Sequence, residues 1–212
     1  MNLITFKQAL AKMPLVAIIR GVTPDEVLAI ATAIKDVGFY LIEVPLNSPN
    51  PYESLKIIAD ALGDEILIGA GTVTSPEQVD KVQAAGGRFV VSPNTNVEVI
   101  KRTKQCGLYS LPGFYTPSEA FQAIDAGADA LKMFPSDSLG VKGLKAISVV
   151  LPDEVAIFAV GGVNIDNMAD YVAAGAAGFG LGTGVYRVGM SADQVSDNAK
   201  AHVAAYKNIR SH

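Results

Sequence analysis

Apolar residues gather along this chain into eight short stretches, most of them rich in Val, Ile or Phe and each closed by Gly, Pro or Thr. They are residues 14–21 (PLVAIIRG), 39–45 (FYLIEVP), 66–72 (ILIGAGT), 88–93 (RFVVSP), 108–113 (LYSLPG), 130–135 (ALKMFP), 155–162 (VAIFAVGG) and 178–184 (GFGLGTG). Near-continuous apolar character with little alternation marks strands covered on both faces, as in a parallel sheet. Segments of helical period lie between them. Four open with the same punctuation: Thr23-Pro24-Asp25-Glu26, Asn50-Pro51-Tyr52-Glu53, Ser75-Pro76-Glu77-Gln78 and Thr116-Pro117-Ser118-Glu119. Each places a capping residue, then Pro at the first helical position, then Glu or Gln at the third. Gly38, Gly63, Gly86, Gly107, Gly127 and Gly175 stand where a left-handed residue would end a helix. Eight strand–loop–helix–glycine units predict a closed (β/α)8 TIM barrel, one domain over residues 1–212, rather than an open doubly wound sheet. A short helix over residues 5–12 precedes the first strand and is expected to plug the bottom of the barrel.

Composition narrows the function. The chain has 212 residues, half of them hydrophobic, with 17 Lys plus Arg against 21 Asp plus Glu and a formal charge of −4. No basic cluster suited to a phosphodiester backbone occurs, so nucleic acid is not an expected partner. No apolar run approaches the roughly 20 residues that span a bilayer, and the first 13 residues lack a signal peptide's apolar stretch. With Cys106 the only cysteine, the expectation is a soluble protein of the reducing cytoplasm. The two histidines, His202 and His212, fall in the last dozen residues on a polar, helical tail. That leaves no convergent zinc site and no Ser-His or Cys-His nucleophile. Metal and cofactor are both expected to be absent, and chemistry falls to Lys, Glu, Asp, Arg, Tyr and backbone dipoles.

In a barrel of this kind, function sits at the C-terminal ends of the strands. Alternation in ALKMFP puts Ala130, Lys132 and Phe134 on one face and Leu131 and Met133 on the other, where helices need apolar contacts. Lys132 therefore points into the barrel. It either snorkels to the rim or, desolvated, presents a neutral amine able to form a Schiff base. Glu43, near the end of the second strand with Leu41 as its same-face neighbour, is either a counter-ion for Lys132 or a proton shuttle beside it. Arg20 and Thr72 end the first and third strands, where guanidinium and hydroxyl suit a carboxylate or phosphate. Gly161-Gly162, then Gly182-Thr183 within GLGTG, occupy the two loops where barrels bind phosphate through backbone N–H groups and a following helix N-terminus. A phosphorylated substrate is expected. These residues alone leave room for an aldolase, a phosphosugar isomerase or epimerase, or a non-catalytic phosphosugar-binding barrel.

Taken in order, Ile19-Arg20-Gly21, residues 42–49 (IEVPLNSP), Gly69-Ala70-Gly71-Thr72-Val73, Ser92-Pro93-Asn94, residues 131–135 (LKMFP) and Val160-Gly161-Gly162-Val163 form a set. The set resembles the 2-keto-3-deoxy-6-phosphogluconate and 6-phosphogalactonate aldolases across nearly the whole chain. The resemblance implies a metal-free class I aldolase, trimeric, acting on a phosphorylated keto-deoxy sugar acid and releasing pyruvate. It implies Lys132 as the Schiff-base lysine, Glu43 as the acid/base, and Arg20 and Thr72 at the substrate's pyruvyl end or nearby hydroxyls. It implies Gly161, Gly162, Gly182 and Thr183 at the phosphate, with Thr183 replacing a Ser often found there. Gluconate-type members carry Arg after the catalytic Glu and Thr before the Gly pair, and galactonate-type members carry Asn and Val. Asn47 and Val160 here imply the galactonate epimer, with the gluconate epimer as the alternative.

Overall fold

Parallel strands alternate with helices throughout the computed structural model, which describes residues 3–211. The strands are β1 (Leu15–Ile18), β2 (Leu41–Pro45), β3 (Leu67–Gly71), β4 (Phe89–Val91), β5 (Tyr109–Leu111), β6 (Gly113–Phe114), β7 (Leu131–Met133), β8 (Ile157–Val160) and β9 (Gly178–Leu181). The helices are α1 (Phe6–Lys12), α2 (Pro24–Asp36), α3 (Pro51–Leu62), α4 (Pro76–Ala84), α5 (Val97–Gln105), α6 (Pro117–Asp125), α7 (Ser136–Ser148, broken at Gly140), α8 (Met168–Ala173) and α9 (Ala192–Arg210).

The sheet order is β5-β4-β3-β2-β1-β9-β8-β7-β6. Its two ends are halves of one strand. Pro112 has no N–H to give the ladder and interrupts that strand, yet its carbonyl still accepts from the Lys132 amide at 2.9 Å. Through it the sheet closes into the eight-staved (β/α)8 barrel that the apolar runs predict.

Side-chain alternation sorts the core into two layers. Ala17, Ile42, Ile68, Leu131 and Met133 face the helices and join the outer core. Val16, Leu41, Leu67, Phe89, Leu111 and Phe158 fill the barrel interior. Helix α1 adds Phe6 and Ala9 to that interior group, with Phe6 stacked on Tyr109 at 5.0 Å, so it does plug the bottom. The inner face of β3 then becomes glycine. A Cβ at Gly69 would lie 2.5 Å from the Phe89 ring, and one at Gly71 would run into the Glu43 carboxyl. These two glycines open the upper interior to neighbouring side chains.

Reciprocal capping boxes form at Thr23, Ser75 and Thr116, as their punctuation predicts. Asn50 differs: it adopts a left-handed conformation (φ 42) and makes no side-chain cap. Five of the six helix-ending glycines have positive φ; Gly63, at φ −63, is right-handed. His202 does not belong to a polar surface. Only 5 % exposed, it packs behind the β9 loop, where a Cβ on Gly184 would come within 3.0 Å of Nε2. Its Nδ1 bonds to the Asn198 carbonyl at 2.9 Å. His212 lies outside the described residues.

Candidate active site

Register brings the reactive groups together. Glu43 sits level with Ile18 on β1 and Gly69 on β3, and Lys132 sits level with Gly113 and Phe158. Both side chains point into the space above Phe158, lined also by Val16, Val91, Leu111 and Val160. Exposure is 2 % for Glu43 and 6 % for Lys132. Among the described residues neither head group makes a hydrogen bond or an ion pair to the protein. Lys132 Nζ stands 4.5 Å from the centroid of the Phe134 ring. Buried ionisable groups are almost always partnered, so these two are held open toward the cavity.

Their electrostatics follow from that isolation. Burial pushes the Glu43 carboxyl above the ordinary carboxylate value, and the nearby positive charges of Lys132 and Arg20 pull it only partly back. Burial likewise pushes the Lys132 ammonium down; Glu43 opposes this and Arg20 adds to it. Both shifts favour the neutral forms, an amine able to attack and an acid able to donate.

Above this floor the barrel mouth opens into a cleft of about 610 Å³. Lys132, Phe134 and Val160 form its base, and the β8 and β9 loops form one wall. Gly161 and Gly162 both have positive φ, 99 and 72. Ser136 Oγ donates to the Gly161 carbonyl at 2.6 Å and Asn167 Nδ2 to that of Gly162 at 2.9 Å, fixing the pair from behind. In the facing loop the amides of Val185 and Tyr186 both bond to the Gly182 carbonyl, closing one helical turn. Among the described residues the amides of Gly161, Gly162, Thr183 and Gly184 donate to no protein acceptor. Two loops with free N–H groups on one cleft wall offer the kind of donors that an anion needs. The expected helix N-terminus after Gly162 does not contribute. Helix α8 has six residues, and Asn164 and Asn167 cap the turn that leads into it.

Arg20 lies at the mouth, with Nη1 donating to Asn47 Oδ1 at 3.0 Å. Thr72 is not among the cleft-lining residues. It follows Gly71 at φ 60, an uncommon conformation for a β-branched residue. Sequence reasoning assigned no separate role to Gly71, whose absent side chain leaves Glu43 its room, and marked Gly180 only as part of the GLGTG loop, whereas a Cβ there would meet Val160 at 2.7 Å. Glycine at alternate positions near the ends of apolar runs was the available signal. Among the described residues no three of His, Cys, Asp and Glu converge to hold a metal ion, and no helix is long and apolar enough to cross a membrane. Another cleft of about 610 Å³, between α3 and α4, lies outside the barrel and away from the strand ends.

An inward amine beside an inward acid, beneath free backbone amides at the top of a (β/α)8 barrel, suits covalent amine chemistry on an anionic carbonyl compound, the chemistry of class I aldolases. The chain matches the model of the KDPG and KHG aldolases over residues 6–202, and it belongs to that aldolase family. It is 50 % identical to the 2-dehydro-3-deoxy-6-phosphogalactonate aldolase of Escherichia coli (strain K12), covering 92 % of this chain and 96 % of that one. Among solved structures, native KDPGal superposes with a TM-score of 0.93 at 48 % identity, covering 95 % of this chain and 98 % of the other. A KDPG aldolase from Legionella pneumophila, with pyruvate captured as a covalent carbinolamine, superposes at 0.83 with 28 % identity, covering 92 % and 96 %.

Replacing the isolated pair with apolar or neutral groups should stabilise the barrel. Burial raises the folded-state value of Glu43, so its cost grows as pH rises past the ordinary 4.5. Burial lowers that of Lys132, so its cost is present at low and neutral pH and fades only toward 10.5. The double variant Lys132→Met/Glu43→Gln should therefore gain about 1–4 kcal/mol in urea unfolding at neutral pH. The gain should shrink in acid, where Glu43 is neutral in both states. A less stable double variant would show that the pair holds the barrel together.

Proposed function

We propose that this chain, working as one barrel domain, cleaves 2-dehydro-3-deoxy-6-phosphogalactonate to pyruvate and D-glyceraldehyde 3-phosphate through an imine on Lys132. The observation that carries the reading is a buried amine without a protein partner, held toward neutrality beside an equally isolated acid. The neutral Lys132 amine attacks the C2 ketone, and Glu43 donates a proton to the carbinolamine hydroxyl, which leaves as water. The protonated imine is the electron sink. Glu43, now ionised, takes the C4 hydroxyl proton, the C3–C4 bond breaks, and its electron pair enters the imine to give an enamine. Glyceraldehyde 3-phosphate departs. Protonation of C3 and hydrolysis of the imine return the amine and release pyruvate.

Arg20 is assigned to the pyruvyl carboxylate. The free amides around Gly161, Gly162, Gly182 and Thr183 are assigned to the phosphate. Val160 lies between the two ends, against C4. The motif resemblance extends the reading to a homotrimer in the cytoplasm.

Glu43→Gln should still be inactivated by pyruvate plus borohydride while losing about 10²-fold or more in turnover; near-normal turnover would reduce Glu43 to a spectator. Val160 offers C4 only methyl contact, whereas a Thr hydroxyl there would hydrogen-bond one epimer's hydroxyl, worth about 0.5–1.5 kcal/mol. Wild type should prefer the galactonate over the gluconate epimer in kcat/KM, and Val160→Thr should move that ratio toward gluconate by roughly tenfold. A wild-type preference for gluconate, or an unmoved ratio in the variant, would overturn the epimer assignment.

A further inference from the structure

The charged side chains lining the cleft are Arg20, Lys132 and Arg187, with no carboxylate among them, in a chain whose formal charge is −4. Arg20 and Lys132 belong to the floor and the pyruvyl end. Arg187 stands on the turn that follows β9, whose Thr183 and Gly184 amides are free. We infer that Arg187 is the cation of the phosphate subsite, closing its guanidinium on the phosphate held by the two glycine loops. This rests on the aldolase reading above and adds to it a residue that sets affinity for the phosphorylated end.

The turn that carries Arg187 is anchored on both sides. Val185 is fully buried, and Tyr186, 2 % exposed, donates its hydroxyl to Glu26 Oε1 at 3.0 Å. Asn198 Nδ2 donates to the Val185 carbonyl at 3.3 Å. On the far side Val188 packs where a side chain on Gly21 would otherwise stand: a Cβ there would come within 2.6 Å of it. Arg187 Nε donates to the Thr183 carbonyl at 2.9 Å, which aims the guanidinium back along its own turn. Among the described residues its two Nη groups make no hydrogen bond or ion pair. Backbone amides supply directional donors but no net charge, and a phosphate monoester carries close to two negative charges at neutral pH. A planar fork with free Nη donors meets two phosphate oxygens at once.

The test compares wild type, Arg187→Gln and Arg187→Lys on 2-dehydro-3-deoxy-6-phosphogalactonate at low and high salt, with pyruvate trapping by borohydride as the phosphate-free control. Arg187→Gln should raise KM about tenfold, about 1.4 kcal/mol, with kcat within about twofold and the trapping rate unchanged. Arg187→Lys should recover part of the loss, keeping the charge without the fork. Added salt should raise KM more steeply in wild type than in Arg187→Gln, because the variant has lost the screened charge. An unchanged KM, or a KM and a trapping rate that worsen together, would overturn the assignment while leaving the aldolase reading intact. A wild type that neither cleaves the substrate nor is trapped would overturn both.

Discussion

Taking an ammonium or a carboxylate out of water costs several kcal/mol per ion, and only close pairing or hydrogen bonding returns that energy. Lys132 and Glu43 receive neither, because each head group faces open cavity. The cost is held in place by the rest of the barrel. Phe89, Leu111 and Phe158 form the dry ring beneath, and α1 seals the bottom with Phe6 and Ala9. Leu131 and Met133, locked into the outer core on either side of Lys132, leave that side chain no outward route. The same desolvation that costs stability moves the amine toward its nucleophilic form, so the energetic defect and the reactivity have one origin.

Space above the pair is made by omission. Gly71 leaves room for the Glu43 carboxyl, Gly180 for Val160, and Gly161 and Gly162 bring bare backbone to the cleft wall. The chemistry is thereby divided by height. The side chains assigned to proton exchange and the covalent bond sit on strands in the dry interior, and the amides assigned to the phosphate sit on loops at the rim. The Asn47–Arg20 hydrogen bond links the β2 loop to the β1 end at the mouth, tying one candidate specificity residue to a cation that lines the cleft.

What the sequence made legible was whatever depends on local pattern. The eight strands follow from apolar runs, the capping boxes at Thr23, Ser75 and Thr116 from short-range hydrogen bonding, and the inward course of Lys132 from alternation across three residues. Features that escaped depend on partners far along the chain or on backbone dihedrals. Asn50 carries capping chemistry but turns left-handed, and Gly63 needs no positive φ. Thr72 ends the right strand yet does not line the cleft. His202 reads as a residue of a polar tail but is buried behind the Gly184 turn, because α9 lays its apolar stripe against the barrel. Arg187 carried no motif at all, and only the fold brings it to the wall of the cleft.

The proposed chemistry requires the isolated amine of Lys132 to be the one that bonds to substrate. Borohydride reduction in the presence of pyruvate, followed by proteolysis and mass analysis, reads this directly. A single pyruvyl adduct on the peptide containing Lys132 is the result the account predicts; an adduct on Lys142 or Lys145 of α7, or no adduct, would contradict it.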